Sequence, residues 1–173
     1  MKFLARIVLL SFLILTSMGG SHAMGEFMFV ENPLIGKQAP EFTLQTLKGE
    51  NMSLSQFRGG DATILFFWAT WCPHCRDELK GLGKRTEEFE QKGIKIALID
   101  LEEDPKLVGS FLEKFKISYP VFMDETSQVA EQYNIIGVPT ILLIDKDGIV
   151  RFMGHDLPNN YVELLTPDQK KKT

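Results

Sequence analysis

Thr63-Ile64-Leu65-Phe66-Phe67-Trp68-Ala69-Thr70-Trp71-Cys72-Pro73-His74-Cys75 is the stretch whose reading decides the fold. Thr63 to Trp68 is a continuous apolar run of strand length, the pattern of a central strand buried on both faces. The tetrapeptide that follows falls where that strand hands over to a helix. Cys72 then stands near the first helical turn, where free backbone N–H groups and the positive end of the helix dipole favour an anion. A thiolate is the anion available. Pro73 suits the first helical position, since its missing N–H would have no partner there. Cys75 lies about one turn on and faces the same way. His74 adds a donor, and a positive charge when protonated, whose expected effect is to depress the pKa of the Cys72 thiol. A stabilised thiolate favours the dithiol and makes the disulfide more oxidising. The geometry suits thiol–disulfide exchange, with Cys72 attacking and Cys75 resolving.

Cys72 and Cys75 are the only cysteines in 173 residues. That excludes a disulfide-stapled scaffold and a four-cysteine zinc site. A structural disulfide here would close almost no loop. Covalent haem attachment needs His after the second Cys, and Arg76 stands there. Zinc needs four ligands, and outside the N-terminal segment only His74 and His155 could join the two sulfurs. No metal and no cofactor beyond the sulfur pair is expected. The composition, 44% hydrophobic and 24% charged, is that of a globular chain. With 19 Lys plus Arg against 23 Asp plus Glu, it has no electrostatic footprint for nucleic acid or an anionic membrane.

Outward from the cysteines, strands and helices alternate. Phe42 to Leu47 alternates as a strand, and Ser53 to Phe57 is a short turn or helix closed by Gly59-Gly60. Pro73 to about Gln91 reads as one helical segment with Leu79, Leu82 and Phe89 inward. Ile94 to Asp100 is a second apolar strand. Pro105 to Phe115 is a helix whose inner face is predicted from Leu107, Val108, Phe111, Leu112 and Phe115. Val121 to Met123 is short and apolar, and Thr126 to Tyr133 is a helix with Val129 and Ala130 inward. Thr140 to Ile144 and Ile149 to Met153 form a hairpin around Asp145-Lys146-Asp147-Gly148. Tyr161 to Leu165 is a final short segment. The pattern predicts one α/β domain over 33–165, a central mixed β-sheet with helices on both faces.

Lys2 and Arg6 flank an apolar run that fades into Ser21-His22-Ala23, the layout of a secretory signal cut after Ala23. An uncleaved anchor is the alternative, although a spanning helix wants about 20 apolar residues. Either way the rest of the chain is expected to be exported. Residues 166–173, with Lys170-Lys171-Lys172, read as a basic solvated tail.

Phe67 to Cys75 resembles the active-site segment of the thioredoxin superfamily, and Tyr133-Asn134-Ile135-Ile136-Gly137-Val138-Pro139-Thr140 resembles its second signature, the loop carrying a cis-proline. Ile35 to Leu44 and Leu54 to Gly59 narrow the resemblance to the exported TlpA/ResA-like thiol–disulfide oxidoreductases and the related peroxiredoxins. It runs from about Pro33 to Met153. The resemblance implies a thioredoxin-like fold, with Cys72 as nucleophile, Cys75 as buried resolving sulfur and Pro139 as the cis-proline. That proline would swing the Val138 backbone alongside the disulfide to meet an extended client chain. Trp71 would shield one side of the site, with ordinary packing as the other reading. The implied clients are protein thiols such as apocytochrome c, served from the periplasm or the outer face of the cytoplasmic membrane. The implied partner is a membrane electron donor or acceptor of the thiol-redox type, and the protein is expected to act as a monomer.

Two departures from the family pattern stand out. Phe66 occupies the place of the buried Asp that thioredoxins carry before the active site. ResA-like proteins instead have a Glu after the next strand, with which Glu103 aligns, making it the candidate for assisting proton transfer at Cys75. A solvated acidic loop is the other reading, since four of the five residues 100–104 are acids. Pro73-His74 resembles the dipeptide of disulfide oxidases, so direction of electron flow stays open. A thiol peroxidase and a copper-handling protein using His155 are the remaining alternatives. Against the first, no proline lies between Asp61 and Cys72; against the second, copper proteins space their cysteines more widely.

Overall fold

In a computed structural model, residues 32–167 are described. The expected leader over 1–23 and the Lys170–Lys172 tail lie outside them. The elements run β1 (Thr43–Thr46), β2 (Asn51–Ser53), α1 (Leu54–Arg58), β3 (Ala62–Trp68), α2 (Pro73–Gly83), α3 (Thr86–Gln91), β4 (Ile94–Leu101), α4 (Pro105–Phe115), β5 (Val121–Asp124), α5 (Gln128–Gln132), β6 (Thr140–Ile144), β7 (Val150–Gly154) and α6 (Tyr161–Leu165). No helix among the described residues is long and apolar enough to cross a membrane.

All seven side chains of β3 are buried, as a run with no polar alternation requires of a central strand. The sheet order is β2-β1-β5-β4-β3-β6-β7. β3 pairs parallel with β4 and antiparallel with β6, and β5 continues the parallel block beyond β4. Successive residues of β3 face opposite layers. Ile64, Phe66 and Trp68 pack with Leu79 and Leu82 of α2, Phe89 of α3, Val108 and Leu112 of α4, and Tyr161 of α6. Leu65 and Phe67 pack on the other side with Leu54 of α1 and Val129 and Ala130 of α5. The sheet is mixed and covered on both faces, the predicted α/β architecture.

Local chemistry explains most boundaries. At α1, Ser53 Oγ accepts from the Gln56 N–H while Gln56 Oε1 accepts from the Ser53 N–H, a reciprocal capping box. Gly59 ends that helix at φ 57°, a left-handed conformation that glycine adopts without a Cβ clash. β2 is three residues of mostly polar chain, too short for alternation to reveal it.

Two expectations are corrected. The helical segment from Pro73 to Gln91 is two helices, broken after Gly83. Glycines 81 and 83 weaken that turn, and side chains take its closing carbonyls: Tyr119 Oη donates to Leu82 O at 2.8 Å and Thr86 Oγ1 to Gly83 O at 3.0 Å. The second correction is Leu107, which is 52% exposed, with only Val108 and Leu112 of the five predicted inner residues fully buried. At 3.6 residues per turn, Leu107 stands about 100–140° around the helix from those two, so it faces an open pocket beside α2. Leu112→Ala should cost about 2–5 kcal/mol of unfolding free energy, and Leu107→Ala no more than about 0.5 kcal/mol. Urea midpoints would check the contrast, and equal losses would contradict the assigned face.

Candidate active site

The buried strand and the helix after it converge on the two sulfurs. Cys72 is the N-cap of α2 in extended conformation, Pro73 occupies the first helical turn, and the Cys75 N–H donates to Cys72 Sγ at 3.1 Å. This amide is one of the donors left unpaired at a helix start. Cys72 and Cys75 are joined in a disulfide with Cα atoms 5.3 Å apart. Cys75 is fully enclosed, while Cys72 keeps 3% of its surface open. Pro73 and His74 are exposed, so His74 stands in solvent at the helix N-terminus.

The Val138–Pro139 peptide bond is cis, and Val138 packs against the layer that holds both sulfurs. His155, the residue the copper reading would call upon, is exposed, and its Nδ1 lies 2.7 Å from the Pro139 carbonyl. Because a carbonyl only accepts, that nitrogen carries the proton. Trp71 is 68% exposed, so of its two readings internal packing is the one the structure discards. Ile136, fully solvent-facing at 97%, adds a second exposed apolar side chain on the loop before Pro139.

Each acid of the segment after β4 has its own role, and none makes the segment a simple solvated loop. Asp104 caps α4 through the Lys106 N–H at 2.8 Å. Glu102, with φ 58°, accepts from Ser127 Oγ at 2.6 Å. Glu103 is half-buried, and its two oxygens accept from the Thr70 N–H and Thr70 Oγ1, each at 2.5 Å. It therefore grips the chain two residues before Cys72.

Asp100 is the group that sequence reasoning passed over. It ends the apolar part of β4 and is completely buried, with Glu103 as the neighbour that acts on its carboxyl through charge and hydrogen bonding. Burial, reinforced by the neighbouring Glu103 charge, pushes its pKa up to about 8. The only hint available was that an acid closing a run of buried strand residues has no solvent to reach.

The AhpC/TSA family model matches residues 35–153. The chain belongs to the AhpC/TSA family. Among its curated relatives is the thiol-disulfide oxidoreductase ResA of Bacillus thuringiensis, 32% identical over 149 residues, covering 86% of this chain and 85% of the relative. Among solved structures, a thiol-disulfide oxidoreductase from Bacteroides fragilis is 29% identical with a TM-score of 0.64, covering 79% of this chain and all of that one. A Chlorobium tepidum structure ascribed to the thiol:disulfide interchange protein DsbE is 26% identical with a TM-score of 0.66, covering 79% and 96% of the two chains. This AhpC/TSA member has the thioredoxin-like fold and is a thiol–disulfide oxidoreductase of the ResA/DsbE type.

The buried Asp100 has a consequence for stability. The folded chain binds this proton more tightly than the unfolded chain does. Its contribution is therefore full below the ordinary value of 3.8 and is lost as pH rises through about 8. Asp100→Asn, kept in the disulfide form so that no thiol titrates, should gain stability relative to the native chain as pH rises from about 5 to about 9. Parallel pH dependences in urea unfolding would show instead that Asp100 is charged throughout.

Proposed function

We propose that this protein exchanges disulfides with exported protein clients through Cys72 and Cys75, with cytochrome c maturation as its setting. The observation that carries the reading is the Cys75 amide aimed at Cys72 Sγ from the start of α2. That donor and the helix dipole stabilise negative charge on Cys72, which makes it the attacking thiolate and the better leaving group. Cys75, enclosed in the apolar layer, resolves the mixed disulfide. The Val138 backbone, turned by Pro139, receives the client as an extended strand, and Trp71 and Ile136 provide apolar contact at the rim of that approach.

In the forward cycle, the Cys72 thiolate attacks a client disulfide. One client sulfur departs with the bonding electron pair, and a mixed disulfide joins client to Cys72. Cys75 then attacks Cys72 Sγ and frees the client dithiol. The electron pair lost by Cys72 and Cys75 is returned by a membrane thiol-redox donor, and the reverse direction oxidises clients by the same steps. Clients such as apocytochrome c, with two nearby thiols, fit this chemistry. The leader-like pattern of residues 1–23 supports export to the periplasm or the outer face of the cytoplasmic membrane.

His74, exposed at the helix start, adds its own positive charge to the Cys72 thiolate when protonated and makes the pair more oxidising than its ResA-like scaffold would suggest. Cys75→Ser should accumulate disulfide-linked client adducts through Cys72 in a non-reducing pull-down, whereas adduct-free monomer would count against exchange. His74→Pro should move the equilibrium with glutathione toward the disulfide. An unchanged equilibrium constant would remove His74 from the redox account.

A further inference from the structure

The apolar side chains of α4 that its buried face does not take open onto a pocket beside the disulfide. The pocket has a volume of about 320 Å³, and its walls include Leu107, Phe111 and Phe115 of α4 with Thr70, Arg76 and Lys114. Leu107 is exposed. Phe111 packs tilted against Phe115, with ring centroids 4.6 Å apart, and against the buried Trp68 at 5.3 Å. The floor is therefore an aromatic extension of the core, in place before anything binds.

The charged side chains of this pocket are of one sign. The Arg76 guanidinium lies 5.8 Å from the Phe115 ring centroid and the Lys114 ammonium 5.6 Å from it. Two cations thus converge on one ring, and among the described residues no carboxylate pairs with either. Arg76 Nε has no hydrogen-bond partner. Glu103 is the acid in contact with the pocket wall, and both its oxygens are held by Thr70. Like charges gathered around one ring repel, and an anion held between them removes that cost. The chain as a whole carries a net charge of -4, so this cationic pair runs against its general character.

We propose that the pocket docks an acidic segment of a partner protein that exchanges electrons with Cys72. One large apolar side chain enters between Leu107, Phe111 and Phe115, and carboxylates beside it meet Arg76 and Lys114. The proposal rests on the exchange reading given above. A volume of about 320 Å³ is at the lower end for ligand pockets, room for one such side chain and the groups next to it. Thr70 is two residues before Cys72 and Arg76 follows Cys75 directly, so a partner anchored here has its neighbouring residues at the disulfide. Anchoring beside the reacting sulfurs makes the attack a local event and leaves the choice of partner to charge. The chain's own Lys170-Lys171-Lys172 carries the wrong sign for the site.

The test uses synthetic peptides on the full chain in its disulfide form. The first probe is a thiol-free, end-blocked Gly-Glu-Phe-Glu-Gly, and its neutral counterpart has Gln for both Glu. The acidic peptide should move the amide signals of Thr70, Leu107 and Phe115. Its affinity at low salt should be about tenfold above that of the neutral peptide, since each exposed ion pair contributes up to about fivefold. Salt at about 0.5 M should remove most of that margin. Lys114→Gln should cut the margin to about threefold, and Leu107→Ser should weaken both peptides together. The second measurement joins each peptide to a Cys-Gly-Gly-Cys dithiol. A peptide thiolate bonds to Cys72 Sγ, and Cys75 leaves with the electron pair and takes a proton from solvent. The second peptide thiolate then closes the peptide disulfide and frees Cys72. The acidic dithiol should reduce the pair about tenfold faster than the neutral one at low salt, and Lys114→Gln should lower that ratio.

Equal binding of the acidic and neutral peptides, equal binding of a Lys-Phe-Lys peptide, or signals that move only outside the pocket would overturn the proposal. Pocket signals that move when the chain alone is concentrated would give the site to a second copy and overturn it as well. If the thiol-free acidic peptide binds in the pocket while neither dithiol reduces the pair, the docking site stands and the exchange reading has failed. If both dithiols reduce the pair at one rate and neither peptide binds, exchange stands and the docking site has failed.

Discussion

The seven side chains of β3 have no solvent on either side, and its backbone tolerates that only because β4 and β6 take up its N–H and C=O groups along its length. A strand so enclosed cannot slip, since a shift by one residue would exchange its two faces between two differently shaped layers. The position of Cys72 follows. The chain leaves β3 at Trp68, turns through Thr70, which Glu103 holds by two hydrogen bonds, and enters α2 with Cys72 at the cap. Cys72 is thus placed by the fully buried central strand that leads to it. At its rim Trp71, His74 and Ile136 are exposed.

The same enclosure explains how much could be read without coordinates. β3, β4 and β6 declare themselves by unbroken apolar runs because burial dictates nearly every residue in them, and α4 by its helical spacing of apolar residues. The CxxC segment is a short motif whose residue types suit a helix start, and the Val138-Pro139 loop is legible through its resemblance to the thioredoxin superfamily's second signature. The helix break after Gly83 was not visible, because it depends on Tyr119, more than thirty residues away, donating to the Leu82 carbonyl. Leu107 misled for a different reason. Five apolar residues on a three-turn helix exceed what one buried face can hold, and periodicity does not say which one is left outside.

The acids after β4 show the limit most sharply. Glu102, Glu103 and Asp104 bond to Ser127, Thr70 and the α4 backbone respectively, partners that composition cannot reveal. An acid-rich stretch is ordinarily a solvated face, and two of these side chains do obey that rule by being exposed. Asp100 breaks it because strand pairing, rather than its own chemistry, decides where it points. Its register opposite Trp68 and Met123 turns it inward whatever its preference for water.

Two carboxyl groups that act on one another, one of them fully buried, cannot both remain ionised without offsetting hydrogen bonds. The structure divides the burden unequally. Glu103 has an N–H and a hydroxyl, one on each oxygen, and each stabilises its charged form. Asp100 is completely buried, so its neutral form is the one favoured, and the Glu103 charge and side-chain hydrogen bond push the same way. The asymmetry needs no metal or bound cation. It arises from Thr70, two residues beyond β3, which holds both oxygens of Glu103 in the charged form and leaves the proton to Asp100.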